Sequence, residues 1–348
     1  MAEAIRDIRS EAAPLRPAKL APASVLIDRK PDGTLYLRSP RALGVYPDKL
    51  TERLEYWAKA APDRVFLAQR APDGSWRTLN YAETLRKVRS IAQSLLSRNL
   101  SVERPIAILS GNDLEHALLG LAAMMTGVPY APISVPYSLM SSDFGKLKSI
   151  MQNLTPGLIF VADGKAFARA IDTAVPRDAE IVVTANPGER QATPFADLLK
   201  TVPTNAVDTA HAKVGPDSIA KILFTSGSTG YPKGVINTQR MLCSNQVMIR
   251  SSLQFIADEP PVLVDWPPWN HTFGGNHDFG MVLHNGGSFY IDEGKPLPGA
   301  IEATVRNLRE IAPTIHLNVP KGFEMLLPYL RSDAVLRQNF FSRMKVLF

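Results

Sequence analysis

Short, nearly all-apolar runs recur along this chain with helix-length segments between several of them, and no other feature limits its fold so strongly. The runs fall at residues 106–109, 158–161, 181–184, 222–224, 262–264 and 289–291. Each is too short for a helix and lacks the polar alternation of a half-exposed strand, so each is read as a strand buried on both faces. Apolar residues at helical spacing predict helices over 49–60, 81–98, 113–126, about 238–253, about 300–311, 321–330 and 335–343, with a further strand over 314–319. Strands alternating with helices predict an α/β fold of parallel-rich sheets with helices on both faces, and ligand sites at the strand ends.

A length of 348 residues with 45% hydrophobic content can bury such a core as one large domain or two ordinary ones. The best apolar run, 117–125, is soon followed by Pro129 and Pro132 and falls short of the roughly 18 residues a membrane helix needs. No membrane span is expected. Glu3, Arg6, Asp7, Arg9 and Glu11 stand where a signal peptide would carry its apolar segment, so the cytoplasm is the expected compartment. One cysteine, Cys243, excludes an internal disulfide and is read as an inert buried thiol in a helix. The formal charge of +6 is spread along the chain with no basic block interleaved with aromatics, which argues against a nucleic-acid partner and for small anionic ligands.

Residues 1–45 read as an N-terminal arm, with a hairpin predicted through 25–28, the turn at Pro31-Asp32-Gly33, and 35–38. The remainder, 46–348, reads as two successive α/β parts, about 46–210 and 211–348. Residues 345–348 look like the start of another buried strand, so the chain is expected to be the front portion of something longer.

The segment TSGSTGYPKG carries the chemistry. It places Gly227, Gly230 and Gly234 among the hydroxyls of Thr225, Ser226, Ser228 and Thr229, followed by Pro232 and Lys233. Glycines let successive backbone N–H groups converge on phosphate oxygens, hydroxyls add donors, and a lysine supplies a mobile point charge. The ending Pro232-Lys233-Gly234 differs from the Gly-Lys-Ser/Thr of a Walker A loop, and extended chain at Val235-Ile236-Asn237 follows in place of a helix. A hairpin-like loop of this kind would grip phosphate by backbone amides and side chains, with little help from a helix dipole.

This loop resembles the signature of the adenylate-forming superfamily of acyl-CoA and aryl-CoA synthetases, luciferases and peptide-synthetase adenylation domains, and the resemblance extends over nearly the whole chain. In LSGNDLEHALLGLAAMMTGVPYAPISVPYSLM, residues 109–140, and in the FGKL and LTPGLIF stretches of 143–163, it is similar in detail to feruloyl-CoA synthetases. The resemblance implies the large N-terminal domain of an adenylate-forming enzyme. It implies ATP, Mg2+ and coenzyme A as cofactors, with the acid's carboxylate attacking the α-phosphate and the coenzyme A thiol then attacking the acyl carbon. Thr225 is the residue it implies for Mg2+, through ATP. The family's adenine, Mg2+ and ribose segments and its C-terminal lid lie later than residue 348, so little activity is expected of this chain alone.

A second segment, DWPPWNHTFGGNH over 265–277, follows the strand at 262–264. Trp269, His271 and Phe273 offer flat apolar surface suited to an aromatic carboxylic acid, with His271 near the carboxylate and Asn276 and His277 as further candidates. Pro268, His271 and Gly274 match the family's Pro-x-x-His-x-x-Gly pattern, which implies that His271 lines or gates the acyl site. One departure is Gln239, where many relatives carry histidine; it cannot titrate near neutral pH. Two other readings stand beside the ligase: a non-catalytic remnant or nucleotide-binding module, and an adenylating enzyme whose acceptor is a carrier-protein thiol or oxygen.

Overall fold

Period-two burial in the short strands sets the architecture of the computed structural model, which describes residues 16–225 and 230–348. Ile106, Ile108, Leu158 and Phe160 bury on one side of their sheet, while Ala107, Leu109, Ile159 and Val161 bury on the other. A strand with two buried faces needs a helical layer on each, and the chain supplies both.

The larger sheet has seven strands in the spatial order Lys233–Thr238, Ile219–Thr225, Tyr130–Pro132, Ile106–Ile108, Leu158–Asp163, Glu180–Ala185, Thr193–Pro194. Its neighbours are parallel except Lys233–Thr238, which folds back antiparallel on Ile219–Thr225. The second sheet has four strands, Val262–Asp265, Ser288–Ile291, Val65–Arg70 and Trp76–Asn80, of which only the last pair is antiparallel.

The helices Tyr81–Leu96 and Leu114–Thr126 lie between the sheets, where one cluster joins Phe66, Leu263 and Phe289 to Ile106, Phe160 and Val182. Gly145–Leu154 and Ala168–Ala174 cover the outer face of the larger sheet. Ile301–Glu310, Pro320–Ser332 and Ala334–Ser342 cover the smaller one around Val264. The result is an α/β fold of five layers, helix–sheet–helix–sheet–helix. Local chemistry starts and stops the inner helices: Asn80 and Asp113 accept the N–H groups of Glu83 and His116, and Gly127, at φ 76°, ends Leu114–Thr126.

The N-terminal hairpin forms, pairing Leu26–Arg29 with Leu35–Arg38 around Gly33 at φ 88°. Residues 1–15 of the arm lie outside the described part. The strand expected at 314–319 is confined to Ile315–His316, which runs parallel to Val346–Leu347. Ladder bonds flank it on both sides, from Lys345 N–H to the Thr314 carbonyl and from Asn318 N–H to the Phe348 carbonyl, and the chain then turns into Pro320–Ser332, which ends the strand. Among the described residues no helix is long and apolar enough to cross a membrane.

Candidate active site

Strand Ile219–Thr225 is antiparallel to Lys233–Thr238 in a register that sets Thr225 opposite Lys233 and Phe224 opposite Gly234. The phosphate segment is therefore the loop of a β-hairpin at the edge of the larger sheet. Ser226, Gly227, Ser228 and Thr229 lie outside the described residues. Gly230 has φ 87°, a left-handed conformation that glycine adopts without strain. Lys233 is exposed, and among the described residues no carboxylate pairs with it. A methyl group on Gly234 would sit 3.0 Å from Ile222 Cγ2, so this strand must pass close to its partner.

The second segment leaves the smaller sheet at Asp265, crosses Trp266–Asn270, and enters a helix that begins with a π turn, Phe273–Asp278, and continues as Phe279–Asn285. Sequence periodicity gave no sign of the π turn. His271 is exposed, and its Nδ1 accepts the Phe273 N–H at 3.2 Å. Phe273 stacks on His277 with ring centroids 5.6 Å apart, and Phe348 lies within about 6 Å of both rings. Gly274 is buried, and any side chain there would strike the Pro267 carbonyl. Asn276 donates to Asn237 Oδ1 at 2.8 Å, which ties the acyl segment to the strand leaving the phosphate loop.

Trp269 stands apart from these. Its ring is buried in the core, edge-on to His116, Phe279 and Phe289 at 5.1, 5.1 and 5.7 Å. It backs the acyl segment from inside. Gln239 is also internal: its side-chain oxygen accepts the Leu50 N–H at 3.0 Å, a packing role that a histidine could fill only in one tautomer. Burial pushes the Cys243 thiol up to about 12, as expected of an inert thiol.

Sequence reasoning passed over several buried polar groups. Lys221, on the strand feeding the phosphate loop, is 3% exposed and donates to the Gly275 carbonyl at 2.9 Å. Burial alone pulls its ammonium down to about 7. The signal was available, since one lysine interrupts an otherwise apolar strand. Asp265 and Asp278 form a buried carboxyl pair: burial and the neighbouring Asp278 hold Asp265 well above the ordinary range, so it keeps its proton. Burial also raises Asp278, opposed by His277, whose Nδ1 lies 2.6 Å from Asp278 Oδ1.

A cavity of about 950 Å³ opens at the carboxyl ends of both sheets. Ser110–Asn112 and Ser134–Pro136 line it from the larger sheet, and Trp266, Pro268, Ile291 and Lys295 from the smaller one. That is where open parallel sheets bind ligands. Among the described residues no group of three or more His, Cys, Asp or Glu side chains could hold a metal.

Two parallel-rich sheets in five layers, with a Gly/Ser/Thr hairpin at the larger sheet's edge, are the N-terminal architecture of adenylate-forming enzymes. The AMP-binding enzyme family matches residues 54–347, and the chain belongs to that family. It is 29% identical over 246 residues to the hybrid PKS-NRPS synthetase poxE of Penicillium oxalicum, covering 71% of this chain and 5% of that protein. It is 22% identical over 337 residues to the long-chain-fatty-acid–CoA ligase ACSBG1 of Homo sapiens, covering 94% and 45%. Its fold matches the crystal structure of ATP-bound MatB from Rhodopseudomonas palustris with a TM-score of 0.61 and 22% identity, over 86% of this chain and 54% of that one. The chain thus spans about half or less of each of these proteins.

Proposed function

We propose that this chain carries the nucleotide loop and part of the acid pocket of an ATP-dependent carboxylate–CoA ligase acting on a small aromatic carboxylic acid, as feruloyl-CoA synthetases do. The observation that carries this reading is the hairpin that opposes Thr225 to Lys233 and is tied through Asn237 to Asn276 in the acyl segment. The hairpin would hold the phosphates by backbone N–H groups, with Thr225, Ser226, Ser228 and Thr229 as hydroxyl donors and Lys233 as the counter-charge. Gly227, Gly230 and Gly234 admit the close approach. Mg2+ would arrive on the phosphates, with the Thr225 hydroxyl as the protein oxygen proposed to meet it.

In this reading His271, exposed before the π turn, would meet the substrate carboxylate, while Phe273, Gly274 and Asn276 would shape the pocket. The carboxylate oxygen bonds to the α-phosphorus as the bond to pyrophosphate breaks; the coenzyme A sulfur then bonds to the acyl carbon, releasing AMP. ATP-bound MatB and the CoA ligase ACSBG1 support the nucleotide and the acceptor, and the half-buried Phe273–His277 stack supports a flat acid.

In the full-length protein, acid-dependent exchange of pyrophosphate into ATP tests the first half, and chromatography of the thioester after adding coenzyme A tests the second. Exchange with ferulate or a benzoate but not with long-chain acids is the expected result; exchange with long-chain acids alone would remove the aromatic assignment. Relatives of the hybrid PKS-NRPS type favour a carrier-protein thiol as a second reading of the acceptor. That reading predicts exchange with no thioester on adding coenzyme A. Absence of ATP binding in calorimetry, for the native chain as for Lys233→Ala, would leave a remnant with no nucleotide role.

A further inference from the structure

A π turn is wider than an α turn and bonds each carbonyl to the N–H five residues on, so where the helix returns to α spacing some carbonyls lose their regular partner and need other donors. Here Phe279 N–H reaches back five residues to the Gly274 carbonyl. The next two carbonyls are both taken by side chains. Lys221 Nζ donates to Gly275 at 2.9 Å, and Gln246 Nε2 donates to Asn276 at 2.7 Å. Both donors are almost fully buried.

Their positions in the chain give the arrangement its meaning. Lys221 lies on Ile219–Thr225, the strand entering the phosphate hairpin, and Gln246 lies on Gln239–Ser252, the helix that follows the hairpin's second strand. Asn237, on that second strand, makes the third tie, accepting from Asn276. The elements before, within and after the hairpin therefore all hold one turn of the acyl segment. Glycine makes room for one of these contacts and for the turn itself: a side chain on Gly280 would strike the Gln246 amide, and one on Gly275 would strike the Trp269 carbonyl.

Keeping an ammonium inside is costly unless it is used, and no carboxylate accompanies Lys221 among the described residues. The Tyr130 ring face lies 5.4 Å from Nζ. A void of about 10 Å³ bounded by Lys221, His116 and Trp269 has room for one water. His116 stays neutral because burial pulls it down to about 4, and its Nδ1 donates to the Gly111 carbonyl at 2.9 Å. A low pKa near 7 at Lys221 fits a group retained for its donors more than for its charge.

We propose that Lys221 and Gln246 are positioning residues that hold the turn Phe273–Asp278 in its π form and thereby couple the phosphate hairpin to the shape of the acid pocket. This rests on the ligase reading for what the pocket binds, but the claim about the turn stands on structure alone. Breaking either bond would let the turn relax to α spacing, which rotates Phe273, Asn276 and His277 relative to His271 and changes how the acid is seated.

The test uses the full chain with Lys221→Met, which keeps the aliphatic length and removes the donors, and Gln246→Leu. Crystal structures of the variants should show α hydrogen bonding across 273–278. In titrations with a non-hydrolysable ATP analogue and ferulate, the native protein should bind each ligand about fivefold or more tightly in the presence of the other. Each variant should lose most of that coupling while its affinity for the nucleotide alone changes less than about threefold; a purely structural defect would depress both affinities together. A π turn that survives in the variants overturns the proposal, as does native binding of both ligands with no mutual effect. If the native protein binds neither ligand, the ligase reading falls, and the variant structures still decide the turn. If Lys221→Met does not fold, Gln246→Leu, which removes one bond only, carries the test.

Discussion

Lys233 stands first on its strand, opposite Thr225, with its side chain in solvent, so its loss should disturb the fold little and the ligand much. A charge-assisted bond to phosphate contributes on the order of 1.5–3 kcal/mol. Lys233→Ala should therefore weaken ATP binding by roughly tenfold to hundredfold in calorimetry with an unchanged melting temperature, and equal affinities would remove the lysine from the site. Asp113 lies in the opposite regime. Burial raises its carboxyl from 3.8 to about 7, even as it accepts the His116 N–H at the head of Leu114–Thr126. Below about pH 4 the group is protonated in the folded and the unfolded chain alike, and its contribution to stability is complete. As pH rises towards 7 the unfolded chain ionises first, so that contribution is lost. Asp113→Asn keeps the accepting oxygen and cannot ionise, so its stability relative to the native protein should grow between about pH 4 and 7 in denaturant melts. A difference independent of pH would mean that Asp113 is not buried as described.

At the scale of elements, the π turn is where local sequence and local structure part company. Nothing in FGGNHD signals a turn of five residues, because its cause lies in Lys221 and Gln246, far away in the chain. Gly280→Ala probes this from the opposite side. Alanine normally favours a helix, yet its methyl group here would push the Gln246 amide off the Asn276 carbonyl. The variant should lose about 1 kcal/mol of stability in denaturant melts and weaken acid binding, whereas a gain in stability would show that Gln246 yields freely. Elements with local causes were legible. The strand at 158–161, the hairpin around Gly33 and the helix at 113–126 each carry their own apolar pattern, turn residue or cap. Val65–Arg70 was missed because its apolar run stops at Ala68 and its place is fixed by pairing with Ser288–Ile291, more than two hundred residues on. Tyr130–Pro132 was missed because it has three residues and ends in proline, and it becomes a strand only between two partners. In the candidate site, the hairpin nature of the loop could be read ahead, whereas the exposure of His271 could not, and Trp269 is buried as core for the reason that made it conspicuous: a large ring finds most of its stabilisation inside.

At the scale of the molecule, the question is what holds two separate sheets in the relation that creates a cavity between their strand ends. The inner helices and their apolar cluster supply most of the adhesion, but apolar contact is not directional and does not fix the cavity's shape. Asn112 does. It follows strand Ile106–Ile108 of the larger sheet, and its Nδ2 donates to the Pro267 carbonyl at 2.9 Å while its Oδ1 accepts the Trp269 N–H at 2.9 Å, both on the loop leaving the smaller sheet. One amide thus clamps the two carboxyl ends and fixes the start of the acyl segment. In Asn112→Ala the Pro267 carbonyl and the Trp269 N–H lose their partner, which costs on the order of 2–3 kcal/mol, enough to move a denaturation midpoint clearly. Because the clamp borders the cavity and the acyl segment but not the hairpin, acid affinity should fall more than ATP affinity, by about tenfold against less than threefold. Asn112→Asp keeps the acceptor for Trp269 and loses the donor to Pro267, so it should lie between the native protein and the alanine variant in both measurements. An alanine variant with native stability and native acid affinity would mean that the sheets keep their relation through the apolar layer alone.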